Sequence, residues 1–244
     1  MEQFMTGHFW LAVGQIIMID ILLGGDNAVV IALACRKLPP KQRTQGILWG
    51  TAGAIGLRVV LIFFALTLLA IPYLKLVGAA LLLWIGVKLL VPEHEGEHEI
   101  EASDRLWSAV KTVIVADFVM SLDNVIAIAG AAQNAGEEHQ MALVIFGLVV
   151  SIPIIVWGSQ LVIKLMDRFP IIITLGGMLL GWIGGTMAVS DPAIVNSLPA
   201  GASPGEPAAW LRYAAGIGGA LLVLAIGKAL VLRRGKSPTA SHAS

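Results

Sequence analysis

Long apolar runs, separated by short clusters of charge, proline and tryptophan, make up most of this chain. Seven of them predict helices of membrane-spanning length, at about 9–35, 46–70, 72–91, 107–133, 140–165, 170–188 and 210–232. The stretches 140–163 and 169–190 contain no Asp, Glu, Lys or Arg, whereas a helix with one face in water needs a polar stripe. Trp10, Trp49, Trp107 and Trp210 stand at the starts of runs, as aromatic residues at a bilayer interface do. The predicted fold class is therefore all-α, a polytopic membrane protein with seven transmembrane helices.

Composition agrees. The chain is 57% hydrophobic and only 13% charged, against roughly 25% charged residues in soluble domains. A formal net charge of zero gives no electrostatic case for nucleic acid. The single cysteine, Cys35, cannot form an internal disulfide and reads as a small packing residue. No Lys or Arg precedes the first run, so it lacks the basic start of a cleavable signal and is expected to stay as helix one. Of the 16 basic residues, 13 fall in or beside alternate loops on one side. Only Lys75 and Arg212 fall on the other side, and Arg58 lies within a span. The positive-inside rule then puts the N-terminus outside and the C-terminus in the cytoplasm.

The chain also resembles itself at an offset of 97–98. The segment from Asp20 through Gly24-Gly25-Asp26-Asn27 to Ala32 matches Asp117 through Ser121-Leu122-Asp123-Asn124 to Ala129, and Gly78 to Gly86 matches Gly176 to Gly184. Each copy holds three helices, and an odd number of spans forces the copies into opposite orientations. The expected organisation is a first repeat over 1–91, an acidic linker over 92–106, a second repeat over 107–188, an outer loop over 189–209, and a seventh helix with a tail over 210–244. Small residues at Gly177, Gly181 and Gly185 predict close helix packing.

Five charges fall at mid-membrane depth: Asp20, Asp26, Arg58, Asp117 and Asp123. Each opposes insertion by about 2.5–3.5 kcal/mol, so they must face one another, water or an ion. Four carboxylates against one guanidinium leave room for a cation. On a straight helix a spacing of six turns the side chain by about 120° and moves it about 9 Å along the axis. Gly24-Gly25 is expected to unwind helix one locally, turning Asp20 and Asp26 toward one cavity and freeing carbonyls; Ser121-Leu122 predicts a weaker break in helix four. Antiparallel alignment of the copies predicts two acidic layers, Asp20 level with Asp123 near Asn124, and Asp26 level with Asp117 near Asn27.

Ligand type narrows the ion. All five histidines lie outside the runs, which disfavours a membrane-buried zinc or copper centre. Carboxylate, carboxamide and carbonyl oxygens suit Mn²⁺, Mg²⁺ or Ca²⁺. Met120, near Asp117, offers either a soft thioether ligand or ordinary packing. Arg58 either pairs with an aspartate when no ion is bound or only holds helix two. The segment 92–104 carries His94, His98 and several glutamates; it reads as a metal-gathering or sensing loop, or as a solvated linker. The loop 189–209 reads as a passive connector.

The Gly24-Gly25-Asp26-Asn27 and Ser121-Leu122-Asp123-Asn124 motifs, the preceding Asp20 and Asp117, and the segment Leu57-Arg58-Val59-Val60 together resemble the TerC family of integral membrane proteins, and within it the YjbE-like branch. The resemblance covers roughly 9–232. It implies a non-enzymatic exporter of Mn²⁺ in the bacterial cell (inner) membrane, with the metal as cargo, no prosthetic group, the cation and the bilayer as partners, and no nucleic acid; the oligomeric state stays open. Tellurite resistance, from which the family takes its name, is a weaker implication. Two other classes remain open from the residues themselves: an intramembrane aspartyl hydrolase using paired aspartates, and a membrane metal sensor or scaffold acting through the acidic loop.

Overall fold

A computed structural model describes Gly14, Met18 and residues 25–69, 71–91, 102–133, 140–201 and 206–234. Among them the chain is all helical: α1 (Gly25–Cys35), α2 (Pro40–Leu69), α3 (Leu74–Leu90), α4 (Ala102–Gln133), α5 (Gln140–Arg168), α6 (Ile171–Val189) and α7 (Ala209–Arg234). A 3₁₀ turn over Val195–Ser197 and a lone bridge between Ala200 and Pro207 shape the loop before α7.

Four helices are long and apolar enough to cross a bilayer, over Pro40–Phe64, Ile145–Arg168, Ile171–Val189 and Ala209–Arg233. The other three expected spans differ for local reasons. The 17 residues of α3 rise only about 26 Å, a little under the ~30 Å hydrocarbon thickness. The 32 residues of α4 are interrupted by Asp104, Arg105, Lys111, Asp117 and Asp123. Most of helix one before Gly25 lies outside the described residues. Large apolar side chains face outward, among them Phe63, Trp157, Ile171 and Leu232, an arrangement that lipid accommodates and water opposes.

Helix boundaries follow from proline. Two prolines in a row, Pro39-Pro40, bar α1 from continuing, and Pro40 opens α2 at the position where its missing N–H costs nothing. The turn between them is closed by Arg36 N–H to Ala32 O (2.9 Å) and Leu38 N–H to Cys35 O (3.0 Å). Its basic side chains then serve neighbouring helix ends. Arg36 donates to Leu89 O (3.1 Å), Lys37 to Val91 O (3.2 Å) and Arg43 to Arg36 O (2.8 Å).

These contacts also fix helix direction. The end of α1 meets the end of α3 through Arg36 and Leu89, and the start of α2 meets the end of α5 through Arg43 and Asp167 (3.8 Å). Leu90 of α3 packs where Gly227 of α7 passes. Thus α1, α3, α5 and α7 finish at one end of the bundle, where α2 begins. Parallel packing of α2 on α4, with Gly50 against Val113 and Arg58 against Asp117, starts α4 at the same end.

The core is built around α1. Val30, Ile31, Ala32, Leu33 and Cys35 are all buried, so beyond its polar first turn this helix is apolar on every side and enclosed. Ile31, Ala32 and Leu33 pack with Ile47 of α2, Val113 of α4 and Ile155, Ile163 and Met166 of α5. Val30 turns to a second cluster with Ala79 and Leu82 of α3, Met120 of α4 and Leu180 of α6.

Backbones approach most closely between α3, α6 and α7. A β-carbon at Gly86 would lie 3.0 Å from Gly177 O and 3.3 Å from Leu180 Cβ; one at Gly184 would lie 3.0 Å from Ala79 O and 3.5 Å from Leu82 Cβ. Each residue in the first set is 98 positions from its counterpart in the second, so α3 and α6 meet antiparallel through matching contacts. On the other side of α6, Gly181 and Gly185 meet the α7 backbone at Gly219 and Ala215.

The loop after α6 is more than a connector. Asp191, wholly buried, accepts the N–H groups of Tyr73 (2.9 Å) and Ala193 (2.8 Å) on Oδ1 and of Leu76 (3.1 Å) on Oδ2. It thereby caps α3 from a distance in sequence, where Tyr73 holds a left-handed φ of 68°. Burial by itself would raise this carboxyl's pKa. The backbone donors of Ala193, Tyr73, Leu76 and Lys75 outweigh it and hold the carboxyl below its usual range. A lowered folded value means that the stabilisation is complete above the unfolded pKa of about 3.9 and drains away as pH falls through the folded value. Replacing Asp191 by Ala is expected to cost about 1–2 kcal/mol at neutral pH. In thermal unfolding of the purified protein, the gap between parent and variant should shrink below about pH 4.

Candidate functional site

Fully buried polar side chains are unevenly shared. Asn27 of α1, Thr51 and Arg58 of α2, Asp117 and Ser121 of α4, and Ser151 and Ser159 of α5 account for all of them among the described residues except Asp191. None belongs to α3, α6 or α7. The serines of α5 satisfy themselves on their own helix, Ser151 donating to Leu148 O and Ser159 to Ile155 O, both at 2.8 Å.

The centre of the site is a three-member network. Arg58, 2% exposed, donates from Nη2 to Asp117 Oδ1 at 2.5 Å and from Nε to Ser121 Oγ at 3.0 Å. Ser121 in turn donates to Asp117 Oδ2 at 3.1 Å. Asp117 and Ser121 are one helical turn apart and face the same way. Parallel packing of α2 on α4, made close by Gly50 and Gly53 against Val113 and Ile114, brings Arg58 to them. A charge pair at this depth holds only because each member is also hydrogen-bonded.

Asp26 of α1 stands within electrostatic reach of both Arg58 and Asp117, and its Oδ1 accepts the N–H of Asn27 at 2.8 Å. The Asn27 side chain is 4% exposed, and neither its Oδ1 nor its Nδ2 has a hydrogen-bond partner among the described residues. Thr51 Oγ1 is in the same condition. Leaving such a group buried and unsatisfied costs about 1–3 kcal/mol, an expense that a bound polar or charged species would offset.

Several expected site features are placed differently or lie elsewhere. Gly25 is helical, so the expected unwinding of helix one does not occur at that residue. One glycine weakens a helix by about 1 kcal/mol, less than the cost of baring backbone groups in a low-dielectric interior. The weaker break expected at Ser121-Leu122 is absent too, because α4 is continuous from Ala102 to Gln133 and Ser121 is held by its own bonds. Asp117 and Asp123 therefore stand on one regular helix, about 120° apart. Met120 is 4% exposed and packs in the apolar cluster with Val30, Leu82 and Leu180, surroundings that suit a core residue. Asp20 and Gly24 lie outside the described residues, as do the side chains of Asp123 and Asn124, residues 92–101 of the acidic linker, and all five histidines. Among the described residues no three His, Cys, Asp or Glu side chains converge as a metal-binding group.

Three residues that matter here escaped the sequence reading as participants. Ser121 was visible as the residue one turn beyond Asp117 on the same helix face. Asp191, beside Pro192, carried a weak turn signal. Thr51 lies two turns before Arg58, on one face of α2.

Comparison with known proteins agrees with this picture of a helical membrane protein. The chain is 46% identical over 187 residues to the uncharacterized membrane protein YjbE of Bacillus subtilis (strain 168), covering 77% of this chain and 83% of the relative. It is 26% identical over 216 residues to the uncharacterized membrane protein YkoY of the same organism, covering 79% and 67%. With the UPF0053 inner membrane protein YgdQ of Escherichia coli (strain K12) it shares 25% identity over 200 residues, covering 75% and 81%. No solved structure matches the chain. The integral membrane protein TerC family model matches residues 5–236, nearly the whole sequence, and the chain belongs to that family.

Proposed function

We propose that this protein exports a divalent metal cation, Mn²⁺ first among them, from the bacterial cytoplasm by alternating access, in exchange for protons. The observation that carries the reading is the buried Asn27 carboxamide, without a partner among the described residues, next in the chain to Asp26, whose carboxylate feels the charges of Arg58 and Asp117. Oxygen donors of this kind suit Mn²⁺, Mg²⁺ and Ca²⁺; the preference for Mn²⁺ rests on the family resemblance. The matched α3 and α6 contacts and the alternating helix directions support two inverted three-helix repeats with a seventh helix added. Basic residues gather at the end where the odd-numbered helices stop, which supports a cytoplasmic C-terminus.

On this reading Asp26, Asn27 and Asp117 receive the ion in one layer, and Asp20, Asp123 and Asn124 receive it in the other. Arg58 and the cation compete for Asp117, so the guanidinium balances the carboxylate whenever the metal has left. A hydrolase would need two carboxyls sharing one proton, and Asp117 is engaged by a guanidinium and a hydroxyl instead.

The test is manganese tolerance of cells that depend on this protein for export. Asp26→Asn and Asn27→Leu are each expected to lower the tolerated Mn²⁺ concentration at least tenfold and to raise cell-associated manganese. A folded, membrane-inserted Asp26→Asn protein with full protection would refute the site. In liposomes, Mn²⁺ entry is expected to drive protons out and make the lumen alkaline; metal uptake without a pH change would remove proton exchange from the proposal.

A further inference from the structure

Where α3 ends and α4 begins, two tryptophan–lysine pairs face a common cavity of about 420 Å³: Trp84 and Lys88 from α3, Trp107 and Lys111 from α4. Within each pair the residues are four apart and share a helix face. The two helices run in opposite directions, with Gly78 against Val119 farther along. Each lysine is therefore set near the level of the other helix's tryptophan. Ser108 and Thr112 add hydroxyls to the same wall, and Asp104 adds one opposing carboxylate.

Both lysines are exposed, and among the described residues neither is in an ion pair. Lys88 lies over the Trp84 ring, 5.3 Å from its centroid. Lys111 stands about 13 Å along α4 from Ala102, deep for a cation on a lipid-facing groove. Lys88 also lines a smaller cavity of about 150 Å³ with Lys37 and Arg105. Trp84 and Lys88 continue into an apolar groove of about 510 Å³ between α3 and α7, walled by Val87, Leu222, Val223 and Ile226. A cavity of mixed lining, rimmed by lysine and tryptophan and large enough for a phospholipid headgroup, thus joins an alkyl-lined groove.

We propose that this is a binding site for an anionic phospholipid of the adjoining leaflet. Its phosphate lies between Lys88 and Lys111, and an acyl chain lies in the α3–α7 groove. Lysines placed at this level supply the charge that zwitterionic lipids do not reward, the tryptophans supply amphipathic rings suited to the headgroup region, and the groove excludes water from the chain.

The test uses the full chain in mixed micelles with phosphatidylglycerol or phosphatidylcholine brominated on the acyl chains, which quench nearby tryptophan. The signal of Trp84 and Trp107 is isolated by comparison with the Trp84→Phe/Trp107→Phe protein. Brominated phosphatidylglycerol is expected to quench these two preferentially, with the preference falling roughly fivefold for each of Lys88→Gln and Lys111→Gln. Lys88→Arg should restore it, which separates charge from damage to the fold. Lys164→Gln, at the same end of the bundle on α5, should leave it unchanged. An equal loss with Lys164→Gln would mean a diffuse basic surface and overturn the proposal, as would the absence of any phosphatidylglycerol preference. A preference that emerges only after deletion of residues 93–101 would identify the glutamate-rich linker as the occupant instead.

Discussion

Replacing Arg58 by leucine is expected to destabilise the folded protein by about 3–5 kcal/mol, because Asp117, 5% exposed, would keep its charge in the interior with only Ser121 for company. Asp117→Leu should cost a similar amount by stranding Arg58. The double variant is expected to recover most of the loss, since two apolar side chains can fill the same volume without desolvating any charge. Unfolding in dodecylmaltoside–dodecylsulfate mixtures measures all four proteins of the cycle. The coupling energy should exceed about 2 kcal/mol, near the top of the range for interacting pairs; additive losses would mean that the pair contributes little. The double variant also separates fold from function. It is expected to be stable and yet unable to move metal in liposomes, and if it transports normally, Asp117 is not a ligand.

Gly185→Ala is the second large effect. A β-carbon there would fall on the backbone carbonyl of Ala215, and Gly219 is pressed against Gly181 O in the same way one turn along. Helix propensity favours alanine by about 1 kcal/mol, but no rotamer can move a backbone carbonyl aside. The two helices would have to part, which also loosens Trp182 against Gly216. Overpacking of this kind costs about 3 kcal/mol, so a net loss of about 2 kcal/mol is expected, read as a lowered unfolding temperature of the detergent-solubilised protein. Gly218→Ala provides the contrast. Nothing lies within 4 Å of its added carbon, and the same measurement should find it neutral or slightly stabilised.

Much of the helical order was legible because apolar runs and prolines are local signals: α2, α5, α6 and α7 stand where their runs stand. The glycines of α3 and α6 were legible as well, since repeated small residues at one spacing have few other uses. Partner choice was not. Four aspartates were candidates for Arg58, and the selection of Asp117 depends on the parallel packing of α2 on α4, a relation between segments some sixty residues apart. Asp191 was hidden for the same reason, because the N-terminus it caps precedes it by more than a hundred residues. The continuity of α4 through Ser121-Leu122 was not legible, because local propensity does not include the penalty for bare peptide groups in a dry interior.

The division of buried polar groups among the helices has a consequence for where water can enter. Among the described residues of the helices, only those of α1, α2, α4 and α5 include enclosed polar side chains that hydration would reward. The seams joining α3, α6 and α7 are glycine and hydrocarbon in backbone contact, so wetting them returns nothing. On the transport proposed above, an aqueous path to Asp26 and Asp117 is expected to open away from those three helices, along α1, α2, α4 and α5. On that proposal the outward surface of α7, with Ile217, Leu221 and Leu232 exposed, is expected to stay in lipid whichever side of the membrane the path faces.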